Sequence, residues 1–359
     1  MSNFVGSYVK DMAAVLAASA LSRQHAIVLG APGYGKTAVS RSIAWQLTDG
    51  KYSFVRIDPS TPPEVVRGAW NPAKLMEGEL VRVVDGTPYD PDMKLAIIDE
   101  IGRGNDVTFD ALLDTLDRQD TLDSPPVWAT SNFMPTTERI QALIDRFGLW
   151  FWVQPGVINT ADVVAAQLNG TGGPQMDMSG MPTWAEIQDV RSAKPGPNAL
   201  AAISELLENL KQEASKEGRR PHPRRISQWT HLIFRTSVWH TGTADFTKVP
   251  DEATGLLKYA WPATSPDEAA SWAKIAGNVI DTVGAAIEAA MAQVLGEMKK
   301  IAAMGASQRS AEIPKLGTLM QSTQATLESV AGPDDKRVQA EIAKMNTWLA
   351  AAIQGREIE

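Results

Sequence analysis

The run Gly30-Ala31-Pro32-Gly33-Tyr34-Gly35-Lys36-Thr37 satisfies the spacing G-x-x-x-x-G-K-[ST], and no other feature constrains the chain as much. An apolar stretch, Ala26–Leu29, precedes it, and a helical pattern from Lys36 to Leu47 follows. Strand, glycine loop and helix in that order open an α/β unit. Glycines at these positions let backbone N–H groups turn inward around a phosphate, where the helix N-terminus adds a favourable dipole. Lys36 is placed to neutralise the outer phosphates, and the Thr37 hydroxyl to ligate Mg²⁺. Gly30 to Thr37, with the adjoining Ala38, are the candidate nucleotide-binding residues. The bland alternative is a glycine-rich turn that matches by chance, and the flanks on both sides argue against it.

The surrounding pattern agrees. A helical periodicity over 3–22 sets Phe4, Val5, Tyr8, Met12, Val15, Leu16 and Ala20 on one face. Tyr52–Ile57, Lys94–Ile98, Val127–Thr130 and Trp150–Val153 read as short buried strands, with a helix over Phe109–Leu116 between them. Leu80–Val84 reads as one arm of a hairpin turning at Asp85-Gly86. About five strands separated by helices call for a largely parallel, covered sheet. After Gln154 the texture changes. A Gly-, Pro- and Met-rich stretch over 170–182 reads as a loop, followed by helical patterns at Asn198–Ser215, Arg225–His240, Asp251–Trp261, Asp267–Met304 and Lys336–Gln354. At 359 residues the chain exceeds the roughly 100–200 residues of one domain. The expected division is an α/β nucleotide-binding core over 1–155, a helical lid with a flexible linker over 156–265, and a helical extension of unassigned role over 266–359.

Three further elements carry chemistry. Leu95-Ala-Ile-Ile98 ends in Asp99-Glu100, placing two acids where open α/β sheets bind ligands. Asp99 is expected to hold the Mg²⁺ shell, and Glu100 to polarise an attacking water. Val127-Trp-Ala-Thr-Ser ends at Asn132, whose amide could orient that water or touch a phosphate; alternatively it opens a turn. Leu143-Ile-Asp145-Arg146 offers a guanidinium that could serve a neighbouring subunit's nucleotide, or else be a solvated ion pair with Asp145 or Glu138.

Composition excludes several classes. With no cysteine, the chain has no disulfide, thiolate metal site or thiol nucleophile. Four histidines show no ligand spacing, and His231 and His240 read as core or surface residues. The net charge of −8 lacks the global basic surface of a bulk nucleic-acid binder. The 11 tryptophans are scattered, which suits packing better than a base-stacking platform. Met12–Leu21 is too short for a membrane span and lacks leader-like flanks, and Ala276–Met304 is broken by acids. The cytoplasm is the expected location.

Taken in order, "GAPGYGKT", "LAIIDE", "ATSN" and "LIDRF" resemble the AAA+ ATPases, and within them the MoxR family. The segments "GAWNPAKLMEGELVRVVDGTPYDPDMKLAIIDE" and "DEIGRGNDVTFDALLDTLDRQ" are similar to MoxR stretches around the second acidic motif. "HPRRISQWTHLIFRTSVWHTG", followed by "LLKYAWP", resembles the lid of the RavA branch. Gly102 and Ser131-Asn132-Phe133 depart from the family pattern, away from the phosphate ligands. The resemblance implies an AAA+ core with an all-α lid, ATP and Mg²⁺ as cofactors, and Asn132 as the sensor that follows the acidic pair. It implies Arg146 as an arginine finger in trans, and Arg224 or Arg225 as a lid arginine on the nucleotide of its own subunit. It also implies a homo-oligomeric ring, hexameric in the family, acting on a protein client, with a von Willebrand factor A (vWA) domain protein as partner. Residues 266–359 resemble no family. A nucleic-acid motor or loader is the alternative function, with Arg219-Arg220-Pro-His-Pro-Arg224-Arg225 as its possible contact; the acidic balance weighs against it. A non-hydrolysing nucleotide switch is the third reading, opposed by the intact Asp99-Glu100 pair.

Overall fold

The computed structural model describes residues 7–117, 125–134, 142–153, 180–280, 291, 293–301, 303–304, 306–331 and 336–354. Five parallel strands form the central sheet: β1 (His25–Leu29), β2 (Tyr52–Arg56), β5 (Leu95–Asp99), β6 (Val127–Ser131) and β7 (Phe147–Trp152). Their order is β2-β5-β6-β1-β7, so β1 lies between β6 and β7, parallel to both, with a register shift against β7 between His25 and Ala26. β1, β5 and β6 are buried along their whole length, as parallel strands covered on both faces must be. Helices α1 (Ser7–Ser22), α2 (Lys36–Thr48) and α5 (Asp106–Asp117) cover the sheet. On one side Ile27, Leu29, Ile98, Phe109, Leu112 and Trp150 share a single apolar cluster.

Between α3 (Glu64–Arg67) and β5 lies a small excursion: β3 (Ala69–Trp70), α4 (Pro72–Met76) and β4 (Arg82–Val83). β4 pairs antiparallel with β3, so the expected hairpin has its other arm upstream. Asp85-Gly86 does turn, with Thr87 N–H on the Val84 carbonyl, but it leads on toward β5. Gly68 fixes the start of the excursion. Its φ is +81°, and a Cβ there would lie 2.3 Å from the Val83 carbonyl oxygen. Arg82 lies over the Trp70 ring at 3.9 Å.

Helices α6 (Trp184–Ser192), α7 (Pro197–Lys216) and α8 (Pro223–Thr241) follow, and α8 packs against α1 and β7. α6 opens on a capping box in which Thr183 and Glu186 bond each other's backbone N–H, a T-x-x-E signal absent from the sequence expectations. The expected helix over 251–261 is instead α9 (Asp251–Thr254) continuing as a 3₁₀ turn, Gly255–Tyr259. α10 (Pro266–Ile280) begins where the expected long helix does, and that helix's middle, 281–290, lies outside the described residues, as does most of the loop read at 170–182. Trp272 of α10 stacks on Trp229 and Trp261, and Trp128, Trp150, Trp229 and Trp272 are buried, in keeping with tryptophans as packing residues.

The chain divides into compact units over 1–277 and 278–359. The core and the helices expected as a separate lid therefore share one unit, because α8 lies directly on α1 and β7. The first unit also runs past 265, since Trp272 completes the tryptophan cluster. In the second unit α11 (Ala306–Ala331) and α12 (Lys336–Gln354) pack on Met291, Val294 and Met298. α11 went unread in the sequence because Pro314 interrupts its pattern. Among the described residues no helix is long and apolar enough to cross a membrane.

His25 makes the start of β1 sensitive to pH. It is fully buried; Nδ1 accepts the Val127 N–H at 2.9 Å, leaving Nε2–H to donate to the Leu116 carbonyl at 3.0 Å. A second proton would have to face the Val127 N–H, and burial lowers the pKa from 6.5 to about 4. The unfolded chain therefore binds this proton first. The stability due to neutral His25 is full above pH 6.5 and declines as pH falls toward 4. Between pH 7 and 5 the expected loss is about 2 kcal/mol. Urea titrations should show it in the wild-type chain and a flatter profile in His25→Gln; equal slopes would remove His25 as the cause.

Candidate functional site: a phosphate loop and a remote arginine face

The glycine loop joins β1 to α2 at the carboxyl edge of the sheet. Gly30 leaves the strand at φ +147°, where a Cβ would lie 2.9 Å from the Val153 carbonyl oxygen. Gly33 and Gly35 also have positive φ, and Gly35 is the residue just before α2. Tyr8 of α1 donates its hydroxyl to the Tyr34 carbonyl at 2.8 Å, tying the loop to the first helix. Ala31 and Ala38 are exposed along the loop and the first turn of α2.

Lys36 folds back into this loop. Its ammonium donates to the carbonyls of Gly30 (2.8 Å) and Ala31 (2.9 Å) and to Asn132 Oδ1 (2.8 Å). It is only 7% exposed, and burial lowers its pKa while Glu100 and Asp99 oppose that shift. Next to it, Thr37 Oγ1 donates to Asp99 Oδ1 at 2.6 Å. Asp99 is 5% exposed at the end of β5 and also accepts from Thr130 at 2.5 Å. Arg56, ending the adjacent strand β2, stands 3.8 Å from its other oxygen.

Glu100 has φ +57°, a strained conformation for a residue with a Cβ, and this turns its carboxylate back toward Asn132. Asn132 Nδ2 donates to both Glu100 oxygens, at 3.1 and 3.3 Å. Since its Oδ1 receives Lys36, this one amide spans the cation and the acid. Arg103 Nε completes the surroundings at 3.3 Å from Glu100. Lys36, Thr37, Asp99, Glu100 and Asn132 are thus assembled by three strand ends, as their sequence positions predict. Thr130, Arg56 and Arg103 are additions. Thr130 carried a faint signal two residues before Asn132, whereas the arginines depend on which strands are neighbours.

These residues fit a Mg²⁺–nucleotide. A buried ammonium beside inward-turned glycines suits phosphate oxygens, and a threonine hydroxyl on a carboxylate suits a hard cation that keeps most of its ligands as phosphate and water. Thr37 and Asp99 would hold the metal and Lys36 the phosphates.

Arg146 is elsewhere. It immediately precedes Phe147, which pairs with His25 at the start of β1, whereas the phosphate loop leaves the end of β1. A five-residue strand separates them by roughly 17 Å. Its guanidinium grips Asp117 at the end of α5 with both prongs, Nε to Oδ1 at 2.7 Å and Nη2 to Oδ2 at 2.5 Å. Among the described residues its carboxylate partner is Asp117 and not Asp145; Glu138 lies outside them. Arg224 Nη2 lies 3.9 Å from the same Asp117, and Arg225 Nη1 donates to the Phe147 carbonyl at 2.9 Å. The structure does not bring Arg224 or Arg225 to the phosphate loop of their own chain. α8 lies along α1 with its first turn at the amino edge of the sheet, and Arg225, 1% exposed, is a packing residue.

The arrangement matches known proteins in its first half. Residues 2–170 match the family described as the MoxR domain in the MoxR–vWA–beta-propeller ternary systems. The first part of the chain is thus similar to a MoxR domain. Its fold is similar to a crystal structure of a protein assigned as an ATPase from Cytophaga hutchinsonii, with TM-score 0.52 and 14% identity over 77% of this chain and 89% of that one. Two Thermotoga maritima RuvB structures are more distant. One is a point mutant, with TM-score 0.29 and 15% identity over 64% of this chain and 70% of that one. The other, described as a Holliday junction branch migration motor, has TM-score 0.27 and 15% identity over 87% and 83%. None of the curated proteins matches. The matched stretch contains the glycine loop, the acidic pair and Asn132.

Proposed function

We propose that the chain hydrolyses ATP with Mg²⁺ as part of a homo-oligomeric ring, hexameric as in the family it resembles. In this reading it uses the cycle to remodel a cytoplasmic protein client alongside a vWA-domain partner. The observation that carries the reading is the split between the two edges of the sheet. Lys36, Thr37, Asp99, Glu100 and Asn132 meet at one edge, and Arg146 stands at the other. An arginine on the far edge serves phosphoryl transfer only if a second copy presents its nucleotide there. Arg224, which shares Asp117 with Arg146, belongs to that same trans-acting face and not to the nucleotide of its own chain.

Bound Mg²⁺–ATP supplies the electrophilic γ-phosphorus and a metal that offsets charge on its oxygens. The chain does the rest. Lys36 holds outer phosphate oxygens, and Thr37 and Asp99 hold the metal. Glu100 accepts a hydrogen bond from water and aims it in line. Asn132 keeps Glu100 and Lys36 in fixed relation. Arg146 exchanges Asp117 for the neighbour's phosphate as negative charge builds up.

A protein client suits the surface better than nucleic acid. The excursion between α3 and β5 exposes Leu75, Met76, Leu80 and Val81 together. In the basic cluster Arg219 is occupied by Ser271 and the Trp261–Trp272 pair, and Arg225 is buried. Phosphate release from ATP should vanish with EDTA and return with excess Mg²⁺. Lys36→Ala should weaken nucleotide binding at least ten-fold. Metal-independent release would refute the assignment of Thr37 and Asp99. Co-purification of a vWA-domain protein with the full chain tests the partner.

A further inference from the structure

The two outer strands of the sheet differ in their cover. β7 is buried along five of its six residues, with Tyr259 against Phe151 at 5.4 Å and Trp152 Nε1 donating to the Ala263 carbonyl. β2 ends the sheet on the other side, packed by β5 and α2. Its hydrogen-bond directions follow from that neighbour. Lys94 N–H donates to the Lys51 carbonyl and Ile57 N–H to the Asp99 carbonyl, both at 2.9 Å. Odd-numbered residues therefore face β5, and Tyr52, Phe54 and Arg56 direct their backbone groups outward. The Gly50 carbonyl takes the Tyr52 N–H. Among the described residues nothing takes the Tyr52 carbonyl or either backbone group of Phe54. A row of such groups is a template for another strand.

The side chains beside this edge are basic and aromatic. Arg41 of α2 lies over the Phe54 ring at 4.6 Å and points Nε at the Tyr52 hydroxyl, 3.4 Å away. These contacts orient the guanidinium without neutralising it. Among the described residues neither Arg41 nor Lys51 has an ion-pair partner, and the acids at the two ends of β2 are engaged elsewhere. Asp49 stands 3.9 Å from Lys94, and Asp58 accepts from Ser60. α2 itself contains no acid, although the net charge of the chain is −8. One turn along from Arg41, Trp45 is 62% exposed and leans on Gly50, where a Cβ would meet its ring at 3.0 Å. At the other end of the strand, 67% of the Arg56 side chain is exposed.

We propose that β2 accepts an added strand from a partner protein, an extended acidic segment whose alternate side chains meet Arg41 and Arg56. Main-chain bonds to Phe54 supply affinity, and the basic flank supplies the preference for acid. Side chains on one face of a strand recur at every second residue, so carboxylates two positions apart fit the two guanidinium groups. This surface goes beyond the nucleotide site and touches it only through Arg56, which also faces Asp99.

A short, end-capped peptide of alternating glutamate and valine is the probe, labelled for anisotropy and titrated into the full-length chain. It should bind, weaken as salt rises, and slow hydrogen exchange over residues 52–56. A lysine–valine peptide should not bind, nor should the glutamate–valine peptide methylated on every backbone amide. Arg41→Glu should weaken binding roughly ten-fold or more and transfer the preference to the lysine–valine peptide. Phe54→Pro removes an outward N–H and no bond to β5, and should abolish binding. Phe54→Leu retains that N–H and should bind within a few-fold of wild type. Arg41 is exposed on α2, so its variant decides the matter even where Phe54→Pro fails to fold. The proposal is overturned if the glutamate–valine peptide does not bind, if Arg41→Glu leaves its affinity unchanged, or if amide methylation has no effect. It is overturned equally by a self-assembly that Phe54→Pro dissolves and the peptide does not compete with, which assigns the edge to a second copy. Because hydrolysis is not the readout, failure here leaves the ATPase reading standing.

Discussion

Glu100→Gln should reduce ATP turnover by at least 10³-fold while leaving nucleotide affinity within a few-fold of wild type. The substitution keeps the size of the side chain and its capacity to bond Asn132 and Arg103, but removes the negative charge that polarises water. Lys36, Thr37 and Asp99, which are the groups expected to hold phosphate and metal, are not altered. A loss confined to the chemical step appears as a fall in kcat with little change in nucleotide Kd. Single-turnover phosphate release combined with equilibrium nucleotide binding makes the distinction. Hydrolysis at the wild-type rate would eliminate Glu100 as the base, and a parallel collapse of binding would mean that the αL turn at Glu100 had rearranged.

The second large effect concerns Arg146. An arginine finger is worth about 10³–10⁵ in rate, so Arg146→Ala should be nearly inactive even though its own phosphate loop is intact. The geometry also makes a prediction about mixtures. Lys36→Ala subunits lack a working loop but retain Arg146; Arg146→Ala subunits have the reverse defect. Mixed and allowed to reassemble, the two inactive chains should recover a measurable fraction of activity at interfaces where a retained Arg146 faces a retained loop. Two controls belong with this experiment. Each variant alone must stay inactive at the same total concentration, and activity of the wild-type chain should fall on dilution as neighbours separate. Absence of rescue in a mixture shown to co-assemble would defeat the trans assignment. Removing Arg146 also frees Asp117, whose bidentate partner it is, so a modest loss of stability is expected beside the catalytic one.

The acidic motif and the phosphate loop were legible because their function is local. Gly30, Gly33 and Gly35 are required by backbone conformations that few other residues adopt, and Lys36 and Thr37 open the helix that must follow. Asp99 and Asn132 were found as polar residues ending apolar runs, which is where parallel strands deliver side chains to one edge. The strand positions were legible to within about three residues for the same reason. Less was visible in the helical region. The expected helix over 251–261 is a short helix followed by a 3₁₀ turn, and the capped helix Trp184–Ser192 lay in a stretch whose composition had little periodicity.

The sequence by itself determined the glycine loop, the acidic pair and the edge of the sheet on which they meet. Hydrogen-bonding geometry at a glycine loop and alternation along buried strands are short-range properties, written in adjacent residues. What only the tertiary structure decided was how the arginines are distributed. Arg146, Arg224 and Arg225 sit in sequence contexts that suit either edge of the sheet, and the packing of α8 along α1 and β7 placed all three at the edge away from their own phosphate loop. The same packing brought Arg23, Arg191 and Arg235 around one cavity, although up to 212 residues of chain separate them. Charge acts through space and is indifferent to chain order, so a cluster of this kind exists only once the helices have docked.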